Sequence, residues 1–124
     1  MIVATAREAA GQLEPLFACA RGEMLAVMFL DDDRGVIATL QFPGGEFGTM
    51  PLPLRAIFVC AIGLGSSGIV IAHNHPSGDP DPGPTDVEAT GRLAATAATL
   101  GIELHDHLIF AGSSWRSFRE LGLL

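Results

Sequence analysis

Three side chains stand out for the chemistry they can do together: His73, His75 and Asp86. The two histidines lie two residues apart at the end of an apolar stretch, Gly68 to Ala72. On an extended chain, residues two apart point to the same side, so both imidazoles can face one point. Asp86 follows eleven residues after His75, in what reads as the first turn of a helix. Two neutral imidazoles and one carboxylate are the ligand set of a hydrolytic zinc site, in which the fourth tetrahedral position is left to water. The intervening loop carries Pro76, Pro80, Pro82 and Pro84. Prolines restrict the unfolded loop, so bringing Asp86 to the histidines costs less conformational entropy. Each residue alone has a plainer reading. A His-x-His pair is commonly structural or exposed, and a carboxylate at a helix start commonly just meets the helix dipole. The combination H-x-H-P-x9-D, at a strand end and a helix start, is much more specific. It predicts one zinc ion per chain.

The elements that must position these residues follow from periodicity and punctuation. Residues 5–20 read as a helix, interrupted before Pro15. Met24 to Leu30 and Val36 to Phe42 read as a hairpin turned by DDDRG, and PGGEFG as a loop. Residues 53–64 read as a buried helix opened by Pro53. Gly68 to Ala72 is a buried strand, and the proline loop after it forbids both helix and ladder. Thr85 reads as the N-cap of the next helix, with Glu88 completing a capping box, and Gly101 as its stop. Ile102 to Phe110 reads as a last strand, AGSS as a turn, and SFRELGLL as a short helix or irregular tail. The order helix, hairpin, helix, strand, helix, strand predicts one mixed α/β domain over residues 1–124.

Bulk properties exclude some functions. The chain has 124 residues, 48% of them hydrophobic, with a mean hydropathy of +0.39. No apolar run approaches the roughly 18 residues of a membrane span. The first residues lack a basic stretch followed by an apolar block, so a cytoplasmic protein is expected. An apolar excess without a span fits a self-association surface such as a homodimer. Net charge is −7, and all seven basic residues are arginines, scattered at positions 7, 21, 34, 55, 92, 116 and 119. Proteins that hold a phosphate backbone cluster their basic residues, so the balance argues against nucleic acid. Cys19 and Cys60 each sit in an apolar segment and read as buried thiols in a reducing compartment, without metal.

The stretch HNHPSGDPDPGPTD resembles the H-x-H-P-x6-S-x-x-D signature of JAMM (MPN-plus) metallopeptidases. The form HNHPSGDP is closest to their bacterial RadC branch. FLDDDRGVIA, PLRAIFVCAIGLGSSGIVIAHNHPSG and LHDHLIFAGSSWRSFRELGLL are similar to further parts of that branch, so the likeness runs from Glu23 to Leu124. It implies a mixed sheet flanked by helices, of the JAB/MPN, cytidine-deaminase-like kind. It implies a peptide or isopeptide substrate. It also implies a chain that holds the JAMM domain alone, without the N-terminal helix-hairpin-helix region usual in that branch.

The resemblance further implies a general base, a glutamate on an early strand that activates water at the zinc. It points to Glu23, seven residues before Leu30, with Glu46 in the PGGEFG loop as the runner-up. One position departs from the signature: its serine is Gly83 here. Losing one oxyanion donor can cost ~10²–10³ in rate, although Thr85 lies nearby. His105 and His107 flank Asp106, should share one strand face, and lack a third ligand. The family carries an Asp-His pair at this place, so Asp106 and His107 are candidates to support the site from behind. Asp79 and Asp81 read as solvated, and Trp115 as a lid over the core edge. Two functions remain in view: a zinc hydrolase, and a non-catalytic zinc-binding or DNA-repair-associated module of the RadC type.

Overall fold

Short apolar runs bounded by turn residues suit strands covered on both faces. Two such runs form the middle of the fold. In a computed structural model, which describes residues 1–20, 22–43 and 52–124 (the backbone alone for Pro43), they are β1 (Met24–Leu30) and β3 (Gly68–Asn74). β2 (Val36–Pro43) returns from β1 as a hairpin, and β4 (Glu103–Ala111) and β5 (Ser114–Ser117) form a second one. The sheet order is β2-β1-β3-β4-β5. β1 and β3 are antiparallel, with Leu25 opposite His73. β3 and β4 are parallel. A parallel pair needs a crossover, and the helix α3 (Pro84–Thr99) supplies it.

Strand alternation sorts the core into two halves. Leu25, Val27, Phe29, Ile69 and Ile71 face α3 and the helix α2 (Leu54–Leu64). Ala26, Met28, Leu30, Val70 and Ala72 face the helix α1 (Ala6–Ala18), which docks through Ala9, Ala10 and Leu13. By the same alternation His73 belongs to the α3 side. On α3 the buried residues are Asp86, Thr90, Leu93 and Ala97, one stripe at helical spacing. Burying Leu93 contributes about 1.5–3 kcal/mol. Docking that stripe carries the Asp86 carboxylate inward, which offsets part of the cost of taking it from water. Among the described residues, no helix is long and apolar enough to cross a membrane.

Several expectations need correction. α1 runs through Pro15 without interruption. Pro15 and Gly11 lie on its exposed side, so the Gly11 carbonyl that loses its helical partner can be hydrated. α3 starts earlier than Thr85: its N-cap is Gly83, with Pro84 in the first turn, where a missing N–H costs nothing. Thr85 is exposed. Cys19 is exposed and Cys60 partly buried, because α1 ends at Ala18 and Cys19 is its C-cap. β5 begins within AGSS, at Ser114, and after Ser117 the SFRELGLL stretch continues as turns, the irregular tail rather than the helix. His105 and His107 do not share a face, because the β3–β4 pairing shifts between Ile69 and Val70. His105 sits in that irregularity and turns to Arg34, on the α1 side. There its Nε2 atom occupies space that any side chain at Gly68 would need. Of the PGGEFG stretch, Pro43 ends β2, and residues 44–48, including Glu46, lie outside the described residues.

Candidate metal centre

The end of β3 and the start of α3 bring His73, His75 and Asp86 together. One ligand atom from each lies within 4.8 Å of the others. His73 Nε2 is 3.0 Å from His75 Nε2. Asp86 Oδ1 is 3.4 Å from His73 Nε2, and Asp86 Oδ2 is 3.4 Å from His75 Nε2. His73 and Asp86 are buried, whereas the His75 side chain keeps 22% of its exposure, so the cluster opens to solvent on the His75 side.

Each group is oriented through its other atoms. His75 Nδ1 donates to the Asp79 carbonyl at 2.8 Å. A carbonyl can only accept, so the neutral ring holds its proton there and Nε2 presents a lone pair to the cluster. Asp86 Oδ2 accepts the Gly83 N–H at 2.8 Å, so this carboxylate also closes the first turn of its own helix. Burial works to raise the Asp86 carboxyl. Close contact with His73, the Gly83 N–H bond and the charges of His73 and His75 outweigh burial and hold the group below its ordinary value. Burial pushes His73 below the ordinary histidine value, and neighbouring Asp86 opposes this only in part. A neutral imidazole beside an ionised carboxylate is the protonation state that ligates metal. The donor set therefore fits a divalent cation, and its two nitrogens and one oxygen suit zinc.

Glu23 precedes β1, and its Oε2 atom is buried. It stands two residues before Leu25, the residue opposite His73, just beyond the end of the β1–β3 pairing. Asn74, between the two histidines, fixes this placement from both sides. Its Nδ2 donates to the Gly22 carbonyl at 2.9 Å, and its Oδ1 accepts the Met24 N–H at 2.8 Å. Sequence reasoning missed Asn74. The available signal was its position inside His-Asn-His, which forces it to the face opposite the histidines.

His107 is fully buried and contacts His73 directly, Nε2 to Nδ1 at 2.7 Å. Phe118 stacks on its ring with centroids 4.4 Å apart. Burial pushes His107 well below the ordinary histidine value, and the charges of His73 and His75 push the same way. Asp106 reaches no ligand. It accepts the main-chain N–H of His107 at 2.7 Å and of Arg119 at 3.1 Å, and the Ser117 hydroxyl, so it ties β4 to β5 and the tail. Asp79 and Asp81 are exposed, as expected, and Asp79 serves the site through its main chain. Trp115 packs against the α1 half of the core.

Residues 3–123 match the model of the RadC-like JAB domain, so the chain belongs to this family. It is 37% identical over 102 residues to a UPF0758 protein of Ruegeria pomeroyi, covering 82% of this chain and 46% of the relative. It is 38% identical over 104 residues to a UPF0758 protein of Aquifex aeolicus, covering 84% of this chain and 45% of that one. A UPF0758 protein of Chlorobium chlorochromatii is 38% identical over 102 residues, 82% of this chain and 46% of its own length. The chain thus spans about half the length of the curated relatives it matches. Their names carry no activity.

Proposed function

We propose that this domain is a zinc-dependent hydrolase of peptide or isopeptide bonds. The observation that carries the reading is the convergence of His73 Nε2, His75 Nε2 and Asp86 on one partly open point, with Asn74 tying the Glu23 segment alongside. His73, His75 and Asp86 would hold the ion, which when bound supplies Lewis acidity and acidifies water near neutral pH without redox chemistry. In this reading Glu23 takes the proton of the attacking water and returns it to the leaving amine as the carbon–nitrogen bond breaks. The peptide enters from the His75 side, the exposed edge of the cluster. The test is a hydrolysis assay on zinc-loaded and chelator-stripped protein with a panel of peptide and isopeptide substrates. Turnover that appears with zinc and disappears with the chelator supports the reading. Zinc binding without turnover on any member of the panel supports the second one.

That second reading, a metal-binding module without catalysis, is favoured by Gly83. The position offers no hydroxyl, and the nearby Thr85 is exposed. Gly83 has an ordinary backbone, φ −85°, and a Cβ there would lie 3.5 Å from Asp86 Oδ2, a normal contact. Serine also suits an N-cap. Gly83→Ser should therefore keep the metal. If the missing hydroxyl limits the enzyme, kcat should rise about tenfold, which needs only ~1.4 kcal/mol of added transition-state stabilisation. Equal zinc content with unchanged turnover would show that another donor already serves.

Binding to duplex DNA at physiological salt should be weak or absent, because the charge is −7 with no lysine. A gel-shift titration checks this. A sub-micromolar, steeply salt-dependent complex would contradict it and revive a DNA-associated role.

A further inference from the structure

We propose that Thr90 and His107 set the tautomer of His73, so that the helix bearing Asp86 dictates which nitrogen of a residue on β3 faces the metal seat. The inference rests on the reading of His73 and Asp86 as ligands. It arises from three short contacts in series. Thr90 Oγ1 lies 2.6 Å from the Asp86 main-chain carbonyl and 2.6 Å from His107 Nδ1. His107 Nε2 lies 2.7 Å from His73 Nδ1.

A threonine hydroxyl has one proton to give, and a carbonyl can only accept. The Thr90 proton therefore goes to the Asp86 carbonyl. His107 Nδ1 must then donate to Thr90, because two lone pairs do not approach to such a distance. A neutral imidazole carries one proton, so His107 Nε2 is left an acceptor. His73 Nδ1 donates to it, and His73 Nε2 is left an acceptor. That nitrogen faces His75 Nε2, whose own proton is held on the far side by the Asp79 carbonyl. These two nitrogens, 3.0 Å apart against 2.6 Å for Thr90 and His107, form with the carboxylate a seat that a cation relieves.

The direction of the chain is decided at its far end. Reversing it would put a proton on His73 Nε2, inside the metal seat, where it could bridge to His75. The same reversal would turn the Thr90 proton towards His107 and leave the Asp86 carbonyl facing a hydroxyl oxygen at 2.6 Å with no proton between them. Thr90 and His107 are 1% and 0% exposed, so bulk water does not reach them to supply a replacement partner. Phe118 stacks against His107 and holds the ring plane. Both are positioning residues: neither reaches the seat, and each acts through His73.

The deciding experiment is nitrogen-15 NMR of the histidine rings in metal-free protein at neutral pH, paired with zinc titration by chelator competition. In the wild type, His73 and His107 should both carry their protons on Nδ1. Thr90→Val removes the hydroxyl at nearly constant volume. Both rings should then switch to the Nε2–H form, and zinc affinity should fall about 10- to 100-fold. Thr90→Ser should restore both the tautomers and the affinity, which a purely packing role for the threonine would not produce. A wild-type His73 protonated on Nε2 overturns the proposal. So does a Thr90→Val protein with unchanged tautomers and affinity. If Thr90→Val fails to fold, the wild-type tautomers alone decide. Wild-type protein that shows the stated tautomers but takes up no zinc would sink the metal reading and leave the relay standing as a structural fact.

Discussion

Alanine at His75 should empty the candidate centre while leaving the fold intact. Wild-type protein dialysed against zinc and then buffer should retain about one ion per chain, and the variant close to none. The ring is the most exposed of the three groups, and its other nitrogen meets only a loop carbonyl, Asp79. Its loss therefore creates no core cavity, and the metal-free melting temperature should stay near that of the wild type. Zinc at 100 times its dissociation constant should stabilise the wild type by about 2.7 kcal/mol and the variant not at all. Unchanged stoichiometry in His75→Ala removes the central claim. The pH dependence has a definite sign. Protons compete with metal for imidazole, and burial keeps His73 neutral to below its ordinary value. Asp86, held low, stays ionised through the same range. Affinity should accordingly be flat above about pH 6.5 and fall as the pH drops further, where imidazoles protonate.

Glutamine at Glu23 should separate binding from chemistry. The substitution keeps the shape of the side chain and removes its ability to accept a proton. Zinc content should be unchanged and hydrolysis should fall about 10²–10⁴-fold, the usual contribution of a general base. The placement that motivates this is backbone-borne: Asn74 bonds Gly22 and Met24, the two residues flanking Glu23. Hydrolysis at the wild-type rate would show that Glu23 is not the base. Loss of zinc would show instead that Glu23 ligates.

Much of the arrangement was legible in the residues because the strongest signals are long-range in effect and local in sequence. The runs MLAVMFL and GIVIA are short and bounded by turn residues, as buried strands are, and a strand running into prolines must end where His73 and His75 stand. What escaped was set by tertiary geometry. The start of α3 was misread because Thr85 and Glu88 mimic a capping box, whereas Pro84 and the Asp86 carboxylate fix the cap two residues earlier, at Gly83. The separation of His105 from His107 depends on an irregularity in strand pairing that no periodicity announces. Thr90 gave no sign at all. A threonine in mid-helix looks like any other until the opposite strand delivers an imidazole to its hydroxyl.

The two bonds of Asn74 also bear on how the sheet assembles. An antiparallel pair that slips by one residue turns every side chain to the wrong face. For β1 against β3, such a slip would send Glu23 away from the histidines while most of the apolar strand could still find a core. Asn74 discriminates against that misfold, because its amide can satisfy the Gly22 carbonyl and the Met24 N–H together only in the native alignment. One side chain thereby serves as a proofreading peg. The alignment that brings Glu23 towards the histidines is the one in which both ends of a half-buried amide find partners.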